Sequence, residues 1–196
     1  MVCHGDSISV WCSYALLDGH GHDNKDRSSS TILVSFSRSY YGRARAESIG
    51  TYCFDTGKGK WAKVGDWTLP FWSQALHVPE LGDGLLFGID NKHFLAMDVF
   101  SAAKTEKQWT PVLRHAWVDV DVDPLSDWRL QYYSVVYLGD GRFCIHRSFA
   151  VMETDGSGSG EECVLLTGVE VVRDGSGLQT IMHKSRRLDS DIYYVL

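Results

Sequence analysis

A chain of 196 residues with 44% hydrophobic and 22% charged side chains is about the size of one domain and can bury roughly 70% of the surface its unfolded form exposes, so it needs no disulfide or metal staple. The formal charge of -6 argues against nucleic acid or an anionic membrane as the main partner, and no apolar run approaches the roughly 18 residues of a membrane span. Met1-Val2-Cys3-His4-Gly5-Asp6 lacks the basic and apolar regions of a signal peptide, which sets a reducing, cytoplasmic or nuclear location as the expectation.

Short β-rich runs bounded by Gly, Asp, Asn and Ser recur along the whole chain, and no long stretch carries a 3.6-residue apolar period with helix caps. In chain order, strands are expected at 7–17, 30–37, 50–55 and 61–67, with a polar loop at 18–29. A second group falls at 74–78, 84–89, 94–99 and 108–114, and a third at 131–138, 142–152, 163–172 and 178–185, with loops at 155–162 and 173–177. Within the first group, Tyr52-Cys53-Phe54-Asp55 alternates between two faces, Thr56-Gly57-Lys58-Gly59-Lys60 supplies the turn, and Trp61 opens the returning strand. Phe94-Leu95-Ala96-Met97-Asp98, a polar stretch and then Trp109 repeat that order. Asp55 and Asp98 are therefore expected to be equivalent ends of inner strands, and Trp61 and Trp109 to be equivalent side chains buried between successive sheets.

The fold class is all-β. Four-stranded sheets recurring every 45 to 65 residues or so are the unit of a β-propeller, here a propeller or partial propeller of about three blades at 7–67, 73–117 and 130–188, with a tail at 189–196. A twelve-stranded sandwich is the alternative. The five cysteines, Cys3, Cys12, Cys53, Cys144 and Cys163, are odd in number, contain no C-x-x-C and sit mostly in strand-like runs, which is the pattern of free thiols.

The strings "GTYCFDTGKGKWAKVGDWTLPF", "VPELGDGLLFGI", "LGDGRFCIHRSF", "VLLTGVEVV" and "MHKSR" resemble, in order from about Ser7 to Lys184, the grass-expanded family called domain of unknown function 1668, kelch-like proteins best known from rice genomes. Members of that family are usually nearly twice as long, and the resemblance covers their C-terminal half. It implies a kelch-like fold and a plant lineage. Biochemical function is unassigned in the family, so no chemistry is implied.

Candidate sites are few. His20 and His22, with Asp18 and Asp23 beside them, could offer two imidazoles and a carboxylate to a transition metal, but nothing nearby in sequence completes a tetrahedron, and an ordinary polar loop is the preferred reading. Asp119, Asp121 and Asp123 share one face of an extended segment; as a calcium loop they fail at Pro124, where glycine is required, and at Leu130, where a bidentate glutamate is required. Asp155 to Glu162 lacks the G-K-[ST] of a phosphate loop, and no Ser, His and Asp set has nucleophile spacing. The basic cluster His183 to Arg187 reads as a solvated strand end. "WTLPFW" is different: Trp67, Phe71 and Trp72 around Pro70 either wedge between blades or form an exposed anchor for a protein partner.

The expected function is a non-catalytic, kelch-like protein-interaction module, an adaptor or regulatory partner, with no cofactor, no nucleic acid and no membrane. The alternatives are a regulatory fragment that competes with or completes full-length relatives, and a metal-dependent or hydrolytic enzyme on a propeller scaffold. Three blades cannot close a ring when propellers use about 4 to 8, so the end blades need cover: a second copy in a homodimer, a full-length relative, or the apolar tail.

Overall fold

The computed structural model describes residues 8–17, 30–40, 47–90, 93–99, 111–117, 127–152, 158–175 and 177–189. Twelve strands run through them: β1 (Ile8–Leu17), β2 (Thr31–Tyr40), β3 (Glu47–Asp55), β4 (Lys60–Gly65), β5 (Ser73–His77), β6 (Leu85–Ile89), β7 (Phe94–Asp98), β8 (Val112–Trp117), β9 (Trp128–Gly139), β10 (Arg142–Met152), β11 (Gly158–Asp174) and β12 (Gly177–Asp189). One 3-10 turn, Pro79–Leu81, joins β5 to β6. Each expected strand is therefore present, β10 with the expected ends and the others with shifted ones. Gly158 to Glu162 belong to β11 rather than to a loop, and the fourth strand of the second group is described from Val112.

Strands β1 to β4, β5 to β8 and β9 to β12 form three antiparallel meanders, called here the first, second and third layers. The expectation of three separate sheets is corrected. β1 and β5 lie close enough to pair in parallel, Ser13 to Ser73, Tyr14 to Gln74 and Ala15 to Ala75, which fuses the first two layers into one eight-stranded sheet of order β4-β3-β2-β1-β5-β6-β7-β8. The third layer is a four-stranded sheet of order β12-β11-β10-β9, and its first strand lies against β5 and β6.

The side-chain pattern explains the layering. β6 and β7 are almost continuously apolar, and both of their faces are buried, as a middle layer requires. From one face Phe87, Ile89, Phe94 and Ala96 join Phe143, Ile145, Val169 and Val171 of the third layer. From the other, Leu86, Leu95 and Met97 join Ala15, Leu17 and Leu33 of the first layer. Strands of the first and third layers instead alternate: Ala15, Leu17 and Leu33 are buried, while Tyr14 and Leu16 are 42% and 47% exposed.

Of the repeated Asp and Trp positions, the tryptophans need correction. Asp55 and Asp98 end β3 and β7, the third strand of each meander. Asp55 caps its hairpin, its Oδ1 accepting from the Gly57 and Lys58 amides at 3.0 Å each, while Asp98 pairs with Arg114 at 2.9 Å. Trp61 is 59% exposed. It sits opposite Phe54, which shares the outward register with Ile32, so its ring packs on Phe54 at 5.0 Å outside the first layer and does not separate sheets. Trp109 lies outside the described residues, and the buried tryptophan of the second layer is Trp117, 9% exposed and stacked on Phe94 at 5.3 Å.

Candidate functional site

Residues 66–72 cross from β4 to β5, and a chain of hydroxyls fixes their path. Ser35 on β2 and Thr51 on β3 are cross-strand partners, and their hydroxyls lie 2.6 Å apart on the inner face of the first layer. The Thr51 hydroxyl donates to the Trp67 carbonyl at 2.7 Å, so its oxygen is left to accept from Ser35, whose own oxygen accepts the Leu69 amide at 3.0 Å. Ser13 donates to the Phe71 carbonyl, and the Trp72 amide donates to the Ile89 carbonyl at 2.9 Å. Buried hydroxyls thus satisfy a backbone that no ladder pairs.

This path buries Leu69 and Phe71, 4% and 2% exposed, and turns Trp72 outward at 45%. Phe71 can lie flat over β6 because residue 88 is glycine: a Cβ there would stand 2.6 Å from the Phe71 ring. Immediately after Trp72 the backbone enters the left-handed region at Ser73, with φ 71°. A non-glycine residue is uncommon in that conformation, which is often found beside binding surfaces.

Trp72 meets Trp11 with ring centroids 4.7 Å apart and Tyr133 at 6.0 Å. Together with β9 they wall a cleft of about 550 Å³ between the first layer, the 66–72 crossing and the third layer. Trp11, Ser37, Thr68, Trp72, Gln131 and Tyr132 are among its lining, and no Asp, Glu, Lys, Arg or His among the described residues contributes. Trp11 is 48% exposed and Tyr132 56%. Of the ionisable side chains, burial pushes the Cys12 thiol up, and burial followed by the charge of Asp90 pushes the Tyr133 phenol well up, so both stay neutral. Among the described residues the cleft offers flat rings, hydroxyls and an amide.

Of the sequence candidates, Trp72 stands at this cleft, Phe71 is core beneath it, and Trp67 is partly buried against the same core. Trp11 and Tyr132 carried no motif. Each is an aromatic in an alternating strand, and only the packing of β9 against β5, the strand that pairs with β1, brings them to one cleft. His20, His22, Asp23 and the Asp119 to Asp123 run lie outside the described residues; among those described, no three His, Cys, Asp or Glu side chains gather where they could hold a metal. A second, polar cavity of about 530 Å³ is lined by Asp83, Asp98, Arg114, His115 and Arg173, but its charges are occupied within the fold: Arg114 pairs with Asp98 and Arg173 donates to the Leu81 carbonyl.

These features define an all-β protein of stacked meanders with a neutral aromatic cleft at the junction of its layers. Compared with known families, residues 2–188 match the model described as Protein of unknown function (DUF1668), and the chain belongs to that family. No curated protein and no solved structure matches it. No described helix is long and apolar enough to cross a membrane.

Proposed function

We propose that the chain is a non-catalytic protein-binding module, a kelch-like partial propeller of three blades that acts as an adaptor or regulatory partner in a plant cell. The observation that carries the binding reading is the exposed Trp11–Trp72 pair with Tyr132 at the mouth of an uncharged cleft. Exposed Trp and Tyr beside a pocket are the side chains that most often dominate protein interfaces. The propeller reading is supported by three four-stranded meanders whose first strands adjoin, β1 with β5 and β5 with β9, while their faces pack on one another. The kelch-like and plant parts rest on the family resemblance drawn from the sequence.

The test is affinity capture from plant extract with the wild-type chain, a Trp11→Ala/Trp72→Ala variant and a Leu113→Ala control. Leu113 is 51% exposed on β8 and does not line the cleft. Partners retained by wild type and control should bind the rim variant about 30-fold or more weakly, the loss of about 2 kcal/mol typical of hot-spot aromatics. Partners held equally by all three would place recognition elsewhere.

A further inference from the structure

β1 is paired unequally on its two sides. It pairs with β2 from Ile8 to Leu17, but with β5 only from Ser13 to Ala15. β5 runs parallel to β1 and begins at Ser73, where the left-handed backbone takes the chain out of line and the Trp72 amide bonds instead to Ile89. Beside Ile8 to Cys12 the line that β5 would continue is therefore open among the described residues. Burial records the same gap. Val10 and Trp11 are 60% and 48% exposed and Cys12 is exposed with them, so both faces of β1 are open here, and burial of every second residue starts only at Ser13 and Ala15. The opening gives onto the aromatic cleft, with Trp11 and Cys12 on one wall and Leu130 to Tyr133 of β9 on another.

An unpaired strand edge is a template for a further strand, and charges on an edge discourage that pairing. The outer edges of both sheets carry such charges: Lys60 and Lys63 on β4, Arg114 on β8, Arg129 on β9, Lys184 and Arg186 on β12. The Ile8-Ser9-Val10-Trp11-Cys12 run of β1 has neither a charge nor a proline.

We infer, on the binding reading above, that the cleft receives an extended, uncharged peptide segment of a partner protein, which adds as a strand to β1 in line with β5. Five unpaired residues at about 3.3 Å each offer about 16 Å of edge, room for a guest of about five residues. The guest backbone pairs with the β1 amides and carbonyls that face the gap. Its alternate side chains enter the cleft, between the Trp11 and Tyr132 rings and over Leu69 and Leu130. An ionised side chain would lose water there and meet no counter-charge among the described lining residues, so the inward positions are uncharged. Proline is excluded from the guest positions that bond to β1, because it lacks the donor that a ladder needs.

Linear peptides of seven random residues displayed on phage and panned on the full chain provide the test. Binders should alternate β-branched or aromatic residues and lack proline and charge over about five central positions. The strongest, made as a free peptide, should slow amide exchange within residues 8–12 at least tenfold and leave 112–114 unchanged. N-methylation at alternate central residues should weaken it at least tenfold, and so should the Trp11→Ala/Trp72→Ala substitution. Exchange and N-methylation are both read on the wild-type fold. A peptide that needs the rim tryptophans but tolerates N-methylation at every position overturns strand addition and leaves the rim reading standing. One that ignores the rim variant and leaves residues 8–12 unprotected overturns both. Proline-rich winners, or no binder at about 100 μM, overturn the strand guest. A doubled mass in sedimentation that the peptide abolishes makes a second copy the occupant and overturns the partner segment.

Discussion

Thr51 and Tyr133 are both buried hydroxyl-bearing residues, 0% and 8% exposed, and they have opposite consequences. Thr51 closes the hydroxyl chain that holds the 66–72 crossing, so Thr51→Val keeps the shape but leaves the Trp67 carbonyl without its donor and should lower stability by about 1 to 3 kcal/mol. The Tyr133 hydroxyl has no hydrogen-bond partner among the described residues. Tyr133→Phe removes a desolvated polar atom and should leave stability unchanged or raise it by about 1 kcal/mol. Urea midpoints of the two variants check both signs together. His146 adds a pH dependence. Burial holds its imidazole below the ordinary 6.5, between Ser134, Leu166 and the Tyr132 ring. The unfolded chain therefore takes up the proton first, and stability is lost as pH falls below about 6.5 toward the lower folded value. The melting temperature of the wild type should drop more between pH 7.5 and 5 than that of His146→Gln; equal drops would remove His146 as the cause.

At the scale of elements, the crossing between β4 and β5 depends on the strand beneath it. Gly88→Ala sets a methyl against the Phe71 ring, which is 2% exposed and has no room to yield. The variant should lose about 1 to 3 kcal/mol. Because Trp72 hangs from the same turn, its fluorescence should shift as well; an unchanged midpoint and spectrum would mean that Phe71 does not fix the rim. The strands themselves were legible in the sequence, since period-two runs such as Tyr52 to Phe54 and turn residues such as Thr56 to Gly59 act locally. The strand neighbours were less so. Ser13 to Ala15 carry nothing that announces a parallel partner sixty residues on, and Trp61 looks the same in sequence whether its strand turns it in or out. Its outward position was decided by register, through Phe54 and Ile32.

For the whole molecule, order of layers matters more than count of strands. The second layer is apolar on both faces because it lies between the other two, whereas among the described residues the first and third each have one face packed on it. One of the three rim aromatics was readable: "WTLPFW" announced aromatics at a crossing, and Trp72 is the one that stands outside. Trp11 and Tyr132 were not readable, because 121 residues separate them in the chain and only the approach of β9 to the β1–β5 junction joins them at one cleft. If that cleft is a recognition surface, a photo-crosslinking aromatic, benzoylphenylalanine, reports it when placed at position 132 and, as a control, at position 113. Irradiation in plant extract should give discrete protein adducts from position 132 that are missing from position 113; adducts of equal pattern at both positions, or none at 132, would contradict it.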